Sequence, residues 1–272
     1  MISLVSLLKE AVSSPKAIIL AGAPGSGKSS VLKGLDLSGL KTLNLDDTIA
    51  ALSKTDGFTL NQKAADAEDR SKFMKAMAQA TAKLKGNPKK GIKGDLPQTI
   101  ENRESFILDG TSASKNQTIK LVNELKEVGY EVMMLYVYTD LETSLKRNQE
   151  RFEKSGGKDR SLMPSAVLTT WNSVTKNFDT YKNEFENFVS VANTGKSETL
   201  KDVKQILDKY IKPFTPTDTK PKTEKEKERS RKQAEKLNQE VQQFLSSDKV
   251  KDIIDSSVSS EEAQSKINSF RK

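Results

Sequence analysis

One eight-residue segment constrains the fold of this chain more than any other part of it. GAPGSGKS, at residues 22–29, matches the Walker A pattern G-x-x-x-x-G-K-[ST]. It follows an apolar segment, residues 16–22, and precedes a helical one, residues 28–35. Glycines at this spacing let the backbone wrap a phosphate chain with its N–H groups pointing inward. The start of the helix adds the positive end of its dipole. The pattern therefore predicts a strand, a phosphate-binding loop and a helix, in that order.

The loop predicts a site for ATP or GTP with Mg²⁺. Lys28 would reach the β- and γ-phosphates, and the hydroxyl group of Ser29 would bind the metal ion. A glycine-rich turn that binds no nucleotide is the alternative. The residues expected to bind the nucleotide form one run: Gly22, Ala23, Pro24, Gly25, Ser26, Gly27, Lys28, Ser29 and Ser30.

Composition excludes several kinds of catalytic site. The 272 residues include no cysteine and no histidine. Disulfides, thiolate metal sites, histidine bases and Ser-His triads are therefore excluded. Any acid–base catalysis must therefore use Asp, Glu, Lys or Tyr. The net charge of +8 suits partners that carry phosphate groups.

The sequence predicts no membrane segment, because no stretch approaches about 18 consecutive apolar residues. The first 15 residues lack the basic region and cleavage site of a signal peptide. Leu4, Leu7, Leu8 and Ala11 instead have the spacing of a short helix that docks on the domain. We therefore expect a cytoplasmic protein, with a component of a virus particle as the alternative.

Short apolar segments alternate with helical ones over the first 213 residues. Because these segments are apolar on both faces, they predict an α/β fold with a five-stranded parallel sheet flanked by helices. The predicted strands are residues 16–22, 41–45, 105–109, 131–138 and 187–191. The predicted helices are residues 28–35, most of 46–100, 114–128, 141–152, 164–185 and 200–211. One buried helix face is predicted from Phe73, Met74, Met77, Ala80 and Leu84.

The composition changes after Pro213. Residues 1–213 are predicted to form the main domain, 214–232 a charged linker with proline and threonine, and 233–272 a tail of short amphipathic helices. The tail carries too few apolar residues for an independent core. Two interpretations stay open, a solvated tail and a segment that docks on another protein chain. The apolar positions of the tail are Leu237, Val241, Phe244, Leu245, Val250, Ile253, Ile254 and Val258.

Three further segments follow the loop. They are LNLDDT at 43–48, ILDGTS at 107–112, and LKRNQERF at 145–152 with a glycine-bearing loop and Pro164 after it. With the loop, they make residues 16–213 resemble the P-loop kinases of the polynucleotide kinase and zeta toxin type. The resemblance implies strand order 2-3-1-4-5, transfer of the γ-phosphate of ATP to a hydroxyl group, and a lid whose arginines hold the phosphates. The DGT segment is similar to the zeta toxin pattern, and Leu45 stands where polynucleotide kinases generally carry arginine.

Asp46 is the predicted catalytic base. From the sequence, we expect it at the end of a strand next to that of the phosphate loop, and ligands of open α/β sheets bind at this edge. A hydroxyl acceptor needs a carboxylate that orients it and accepts its proton. Asp46 also matches the family's catalytic aspartate. Asp47 is the alternative base, a substrate contact or the cap of the next helix, and a capping role stays open for Asp46 too.

Asp109 ends the third predicted strand. It would hold Mg²⁺ through water or contact the acceptor, and the family has an acid in this place. An acid without a role in the site is the alternative. Thr111 would contact the substrate.

Three arginines complete the predicted site. Arg147 and Arg151 are four residues apart on one helix and share a face, so both can clamp the γ-phosphate. The alternative is a salt-bridge face with Glu142 and Glu150. Arg160 follows Gly156-Gly157 and would be a third lid arginine that contacts the substrate.

The acceptor stays open between a polynucleotide 5′-hydroxyl, a nucleoside or nucleotide, and a sugar nucleotide. Residues 83–94, KLKGNPKKGIKG, supply five lysines that can neutralise phosphates, but no aromatic residue for base stacking. A solvated loop is the alternative. The rival function is a nucleotide-binding interaction protein that docks into a larger assembly through its tail. Under the kinase interpretation, deletion of residues 214–272 is expected to leave activity intact.

Overall fold

The computed structural model describes residues 14–194, except 34 and 36, and residues 223–271. Five strands form one parallel sheet in the order β2-β3-β1-β4-β5. The predicted α/β fold and strand order are therefore confirmed. The strands are β1 (Lys16–Ala21), β2 (Lys41–Asn44), β3 (Phe106–Asp109), β4 (Glu131–Tyr138) and β5 (Asn187–Ala192).

Helices flank the sheet on both faces. Within the described ranges they are α1 (Lys28–Leu32), α2 (Asp46–Asp56), α3 (Ala67–Lys85), α4 (Asp95–Glu101), α5 (Lys115–Glu127), α6 (Leu141–Lys154), α7 (Pro164–Lys176), α8 (Phe178–Glu184), α9 (Glu224–Leu245), α10 (Lys249–Asp255) and α11 (Ser260–Arg271). None of these helices has the length and apolar character needed to cross a membrane. The helices predicted near residues 4–11 and over 200–211, and residues 214–222 of the predicted linker, lie outside the described residues.

Two helical predictions are wrong in detail. Met74 is 66% exposed, because the buried stripe of α3 runs from Phe73 through Ala76 and Ala80, and Met74 lies about 100° away from it. The predicted helix over 164–185 is two helices that meet at Asn177. The side chain of Asn177 donates to the carbonyl of Ala113 at 3.1 Å.

The sheet is buried on both faces because successive residues of a strand point to opposite sides. On β1, Ala17 and Ile19 belong to the first core, whereas Ile18 and Leu20 belong to the second. The first core includes side chains from α5, α6 and α7. Among them is Trp171, whose Nε1 donates to the carbonyl of Thr139 at 2.8 Å. Trp171 is therefore a core residue.

The C-terminal helices contribute to both of these cores. Val241 of α9 and Ile253 of α10 are buried in the first core, and Ala263 and Ile267 of α11 in the second. Between α10 and α11 the chain passes the edge of β5, where the N–H of Val258 donates to the carbonyl of Ser190. In the described tail, the main apolar side chains are thus covered by this chain's own sheet and helices.

Helix α9 begins inside the segment predicted as a linker. Thr223 and Glu226 form a capping box that satisfies the backbone at its start. The alternating charges of residues 224–232 lie on its first turns and form ion pairs with one another, such as Lys227 with Glu224 at 2.6 Å. The first half of α9 has no apolar face, and it is stable because the second half of the same helix is anchored in the core.

A third, smaller core joins α2 to α3 and the segment between them. It consists of Ile49, Phe58, Leu60, Phe73, Ala76 and Ala80. This core positions α2, whose first turn carries Asp46, beside the edge of the sheet.

Candidate active site

Two positions of the phosphate-binding loop require glycine, because the backbone has a positive φ there and a Cβ atom would clash with neighbouring atoms. Gly25 and Gly27 have φ of +80° and +91°, where other residues are strained. A Cβ atom on Gly27 would lie 2.3 Å from Nδ2 of Asn193, and one on Gly25 would lie 2.9 Å from the carbonyl oxygen of Ser144. The loop is therefore closely packed against the elements that follow β4 and β5.

Lys28 is held within the loop that precedes it. Its Nζ donates to the carbonyls of Gly22 at 2.9 Å and Ala23 at 3.2 Å. Burial lowers the pKa of Lys28 to about 8, and the carboxylate of Asp109 partly opposes that shift. The N–H of Gly22 donates to the carbonyl of Thr111 at 3.2 Å, so the loop is tied to the segment after β3.

The ends of β2 and β3 lie side by side, and β3 separates β2 from β1. The prediction that Asp46 ends a strand next to that of the phosphate loop is therefore wrong, although β2 ends at the same edge of the sheet. The parallel register of β2 and β3 pairs Asn44 with Asp109. The Oδ1 atom of Asn44 accepts from the backbone N–H groups of Asp46 and Asp47. Asn44 therefore caps α2, and the carboxylates of Asp46 and Asp47 in the first helical turn are not used for capping.

Asp46 lies between two arginines. Oδ1 of Asp46 is 3.0 Å from Nη2 of Arg160, and Oδ2 is 3.5 Å from Nη2 of Arg151. Arg151 also pairs with Asp159 at 2.6 Å. Arg151 does not form the alternative salt bridge with Glu150, because Glu150 pairs with Lys154.

Arg147 shares a helix face with Arg151 but has different partners. Its guanidinium donates to the carbonyl of Gly25 at 3.2 Å and to Oδ1 of Asn193 at 3.3 Å. Nδ2 of Asn193 donates to the carbonyl of Ser26 at 3.0 Å. Arg147 and Asn193 therefore brace the phosphate loop. The sequence reasoning missed Asn193, although it directly follows β5, at the same edge of the sheet as the loop.

These residues line a cleft of about 550 Å³ that continues into a pocket of about 330 Å³. The predicted site residues that line one or both are Pro24, Gly25, Gly27, Lys28, Ser29, Asp46, Asp47, Asp109, Thr111, Arg147, Arg151 and Arg160. Gly22, Ala23 and Ser26 lie in the buried part of the loop, and Ser30 is exposed on α1. The pocket adds Ile49, Ala50, Leu60 and Lys158.

The donor set fits a magnesium ion held jointly with phosphate groups. Ser29 and Asp109 line the same cleft, and Mg²⁺ prefers oxygen ligands. Burial raises the pKa of Asp109, while the nearby Lys28 opposes this shift. Among the described residues no three acidic side chains lie close enough to hold a metal ion by themselves. Mg²⁺ in phosphate sites is typically held by one or two protein ligands, water and the phosphates.

The zeta toxin family model matches residues 92–207. That segment includes Asp109, Thr111, Arg147, Arg151 and Arg160, whereas the phosphate loop and Asp46 precede it. No curated protein matches the chain significantly.

Several solved structures are similar to this chain at low sequence identity. The PezAT chromosomal toxin–antitoxin system of Streptococcus pneumoniae is 15% identical over 87% of this chain and 93% of the other, with a TM-score of 0.41. The AvrRxo1-ORF1:-ORF2 complex with ATP is 14% identical over 97% and 82%, with a TM-score of 0.43. A gluconokinase from Sinorhizobium meliloti 1021 is 14% identical over 71% and 89%, with a TM-score of 0.34.

The phosphate loop, the strand order and the family match over residues 92–207 agree with one another. This chain is a P-loop α/β protein that resembles the kinases of the zeta toxin type.

Proposed function

We propose that this chain is a kinase that transfers the γ-phosphate of ATP to a hydroxyl group of a small acceptor. The position of Asp46 carries the proposal. This carboxylate lines both the cleft at the phosphate loop and the adjoining pocket. A base in that position can contact a hydroxyl group in the pocket while the hydroxyl oxygen faces a phosphate at the loop.

The loop and the lid would bind the triphosphate. Loop N–H groups and Lys28 would hold the phosphate oxygens, which would replace the carbonyls that Lys28 now contacts. Arg160 lines both the cleft and the pocket, and its Nε is a buried donor without a hydrogen-bond partner in the described part of the chain. A phosphate oxygen would give this donor an acceptor. Ser29 and Asp109 would hold Mg²⁺, which neutralises charge on the phosphates.

Binding of ATP would free Asp46 from its two arginine partners before the phosphate is transferred. The negative γ-phosphate competes with Asp46 for Arg151 and Arg160. Once these arginines turn to the phosphate, Asp46 can accept the proton of the acceptor hydroxyl group. The acceptor oxygen then forms a bond with the γ-phosphorus, the bond from that phosphorus to the bridging oxygen breaks, and ADP leaves. The arginines stabilise the charge on the transferred group.

The pocket favours a small acceptor that is polar on one side. Ile49, Ala50 and Leu60 supply an apolar wall, and Asp47 and Lys158 supply polar groups. A volume of about 330 Å³ lies at the lower end of the usual range for small-molecule sites. We therefore favour nucleotides and sugar nucleotides over a polynucleotide end as acceptors, in agreement with the DGT segment and Leu45.

The test is transfer of labelled γ-phosphate from ATP. The acceptor panel contains nucleosides, nucleoside monophosphates, UDP-N-acetylhexosamines and 5′-hydroxyl oligonucleotides, and Lys28→Ala serves as the inactive control. Transfer to one acceptor class by the wild type alone would support the proposal and name the acceptor. ATP binding without transfer to any acceptor would contradict it.

We expect the affinity for ATP to fall as the pH rises above 8. The free protein loses the Lys28 proton near that pH because burial lowers the pKa of Lys28 to about 8. A bound triphosphate favours the protonated form. At pH 9 only about one tenth of free Lys28 is charged, so the Kd should be about tenfold higher than at pH 7.

Calorimetry in two buffers of different ionisation enthalpy would measure this linkage. ATP binding at pH 9 should take up nearly one proton. Residual binding by Lys28→Arg should not change over this pH range, because arginine stays charged. Equal wild-type affinity at pH 7 and 9 would contradict the prediction.

Asn193→Ala should weaken ATP binding through the loop rather than through a lost ligand contact. The change removes the bonds to the Ser26 carbonyl and to Arg147. Loss of two such bonds corresponds to about 1–3 kcal/mol, or about 5- to 150-fold in Kd. The KM for ATP should rise more than kcat falls.

Asn193→Asp is the matched variant for this prediction. It keeps the acceptor for Arg147 but loses the donor to Ser26, so it should recover only part of the affinity. Wild-type KM in Asn193→Ala would show that the brace has no role in nucleotide binding.

The rival function, an interaction protein that docks through its tail, has no specific support here. This function would need the apolar stripe of the tail to be free for a partner, but Val241 and Ile253 of that stripe are buried in the first core of the same chain.

A further inference from the structure

We propose a second anion-binding site, separate from the phosphate loop, that binds the phosphate backbone of single-stranded nucleic acid. It is a groove of about 530 Å³ between α3, α4 and the loop that joins them. Its lining residues are Lys75, Ala78, Gln79, Ala82, Lys83, Asn87, Lys90, Ile92, Lys93, Gly94, Asp95 and Gln98. We call this the lysine groove. The inference does not depend on the proposed kinase activity.

The loop that carries the lysines has a defined shape. The N–H of Asn87 donates to the carbonyl of Ile92 at 2.7 Å, and the N–H of Ile92 donates back at 3.0 Å. Gly86 and Gly94 pack so closely that a Cβ atom on Gly94 would lie 2.2 Å from the nitrogen of Gly86. The loop is thus a closed hairpin that presents its lysines in one arrangement. This differs from the solvated loop that the sequence allows as the alternative.

The charge of the groove is largely uncompensated. Lys75, Lys83 and Lys90 form no ion pair within the described part of the chain, whereas Lys93 pairs with Glu101. Asp95 is the single acidic residue among those that line the groove. Three exposed ammonium groups around one depression repel each other, and an anion that binds among them relieves this repulsion.

The spacing of the lysines fits an extended anion better than a single phosphate. Lys75, Gln79 and Lys83 follow one another at i, i+4 and i+8 on α3, so the row spans about 12 Å along the helix. That length exceeds the size of one phosphate group, so the row can contact more than one phosphate of the same strand. Gln79, Asn87 and Gln98 add amide donors. No aromatic residue lines the groove, so binding should be independent of sequence.

The lysine groove and the active-site cleft lie on different faces of the same helix. Met77 of α3 lines the cleft, whereas Lys75, Gln79 and Lys83 line the groove. An α-helix with its side chains is about 10 Å across. ATP at the phosphate loop should therefore leave the groove free.

The test measures binding of fluorescein-labelled (dT)12 by anisotropy at several salt concentrations, with the phosphate loop saturated by Mg·ATP. Wild type is compared with the triple variant Lys75→Gln, Lys83→Gln, Lys90→Gln. The control triple variant is Lys54→Gln, Lys126→Gln, Lys251→Gln, which loses the same charge from exposed lysines elsewhere.

Each lost phosphate contact should reduce the slope of log K against log salt by about 0.7. The groove variant should therefore lose about 2 from the slope and at least tenfold in affinity at low salt. The control should stay within about twofold of wild type, and both should bind ATP normally.

Equal loss in both variants would overturn the proposal, because it would assign binding to net charge. No binding by the wild type at low salt, or normal binding by the groove variant, would also overturn it. The assay contains no transfer step, so its failure is distinct from failure of the proposed kinase activity.

Discussion

Asp46→Asn should reduce phosphate transfer about 100-fold or more while ATP binding persists. The amide cannot accept the proton of the acceptor hydroxyl group, and a positioned base typically contributes a factor of about 10²–10⁴. Nucleotide affinity should stay the same or increase. In the wild type, Arg151 and Arg160 pair with the carboxylate of Asp46, which competes with the γ-phosphate for them. The variant lacks this competing charge.

Single-turnover transfer and calorimetric ATP binding would measure the two effects separately. Asp47→Asn is the matched control, because it lies in the same helical turn but forms no ion pair with these arginines in the described structure. It should keep most of the activity. If Asp47→Asn lost transfer and Asp46→Asn did not, the base would be Asp47. If both lost nucleotide binding, the assignment of a base would fail.

Ile253→Ala should destabilise the whole domain, whereas Ile254→Ala should not. The two residues are neighbours in α10, but Ile253 is 1% exposed and Ile254 is 40% exposed. Truncating a buried isoleucine costs about 2–5 kcal/mol, a large part of a typical total of about 5–15 kcal/mol. Exposed substitutions usually stay within about 0.5 kcal/mol.

Chemical denaturation monitored by the fluorescence of Trp171 would measure both variants. Trp171 packs edge-on against Phe244 of α9, with ring centroids 5.8 Å apart, so it reports on docking of the tail. Equal, small effects of the two variants would mean that the tail is not docked in solution.

The same packing changes the expectation for deleting residues 214–272. A solvated tail could be removed without loss of activity. Because Val241 and Ile253 complete one core and Ile267 the other, the deletion should instead uncover both cores and destabilise the main domain. A stable, active deletion variant would contradict this.

Local features of the fold were predictable from sequence because local physics decides them. Glycines at 25 and 27 were expected for a tight loop, and both adopt left-handed backbone conformations. Runs that are apolar on both faces were expected for a parallel sheet, and the structure has that sheet. The strand order came from the resemblance, since periodicity does not state which strands are neighbours. Met74 shows the limit of the same reasoning, because a one-residue shift on a helix changes the face.

The phosphate loop, the parallel sheet and the acidic and basic residues near its edge can all be predicted from the sequence. The partners of these residues depend on the tertiary structure. Arg147 and Arg151 look equivalent on one helix face, yet one contacts the loop and Asn193 and the other contacts Asp46. Likewise, an apolar stripe in the tail indicates that these side chains must be buried, but it does not indicate which surface buries them. Periodicity is a property of neighbouring residues, whereas a contact between distant residues depends on how the whole chain packs.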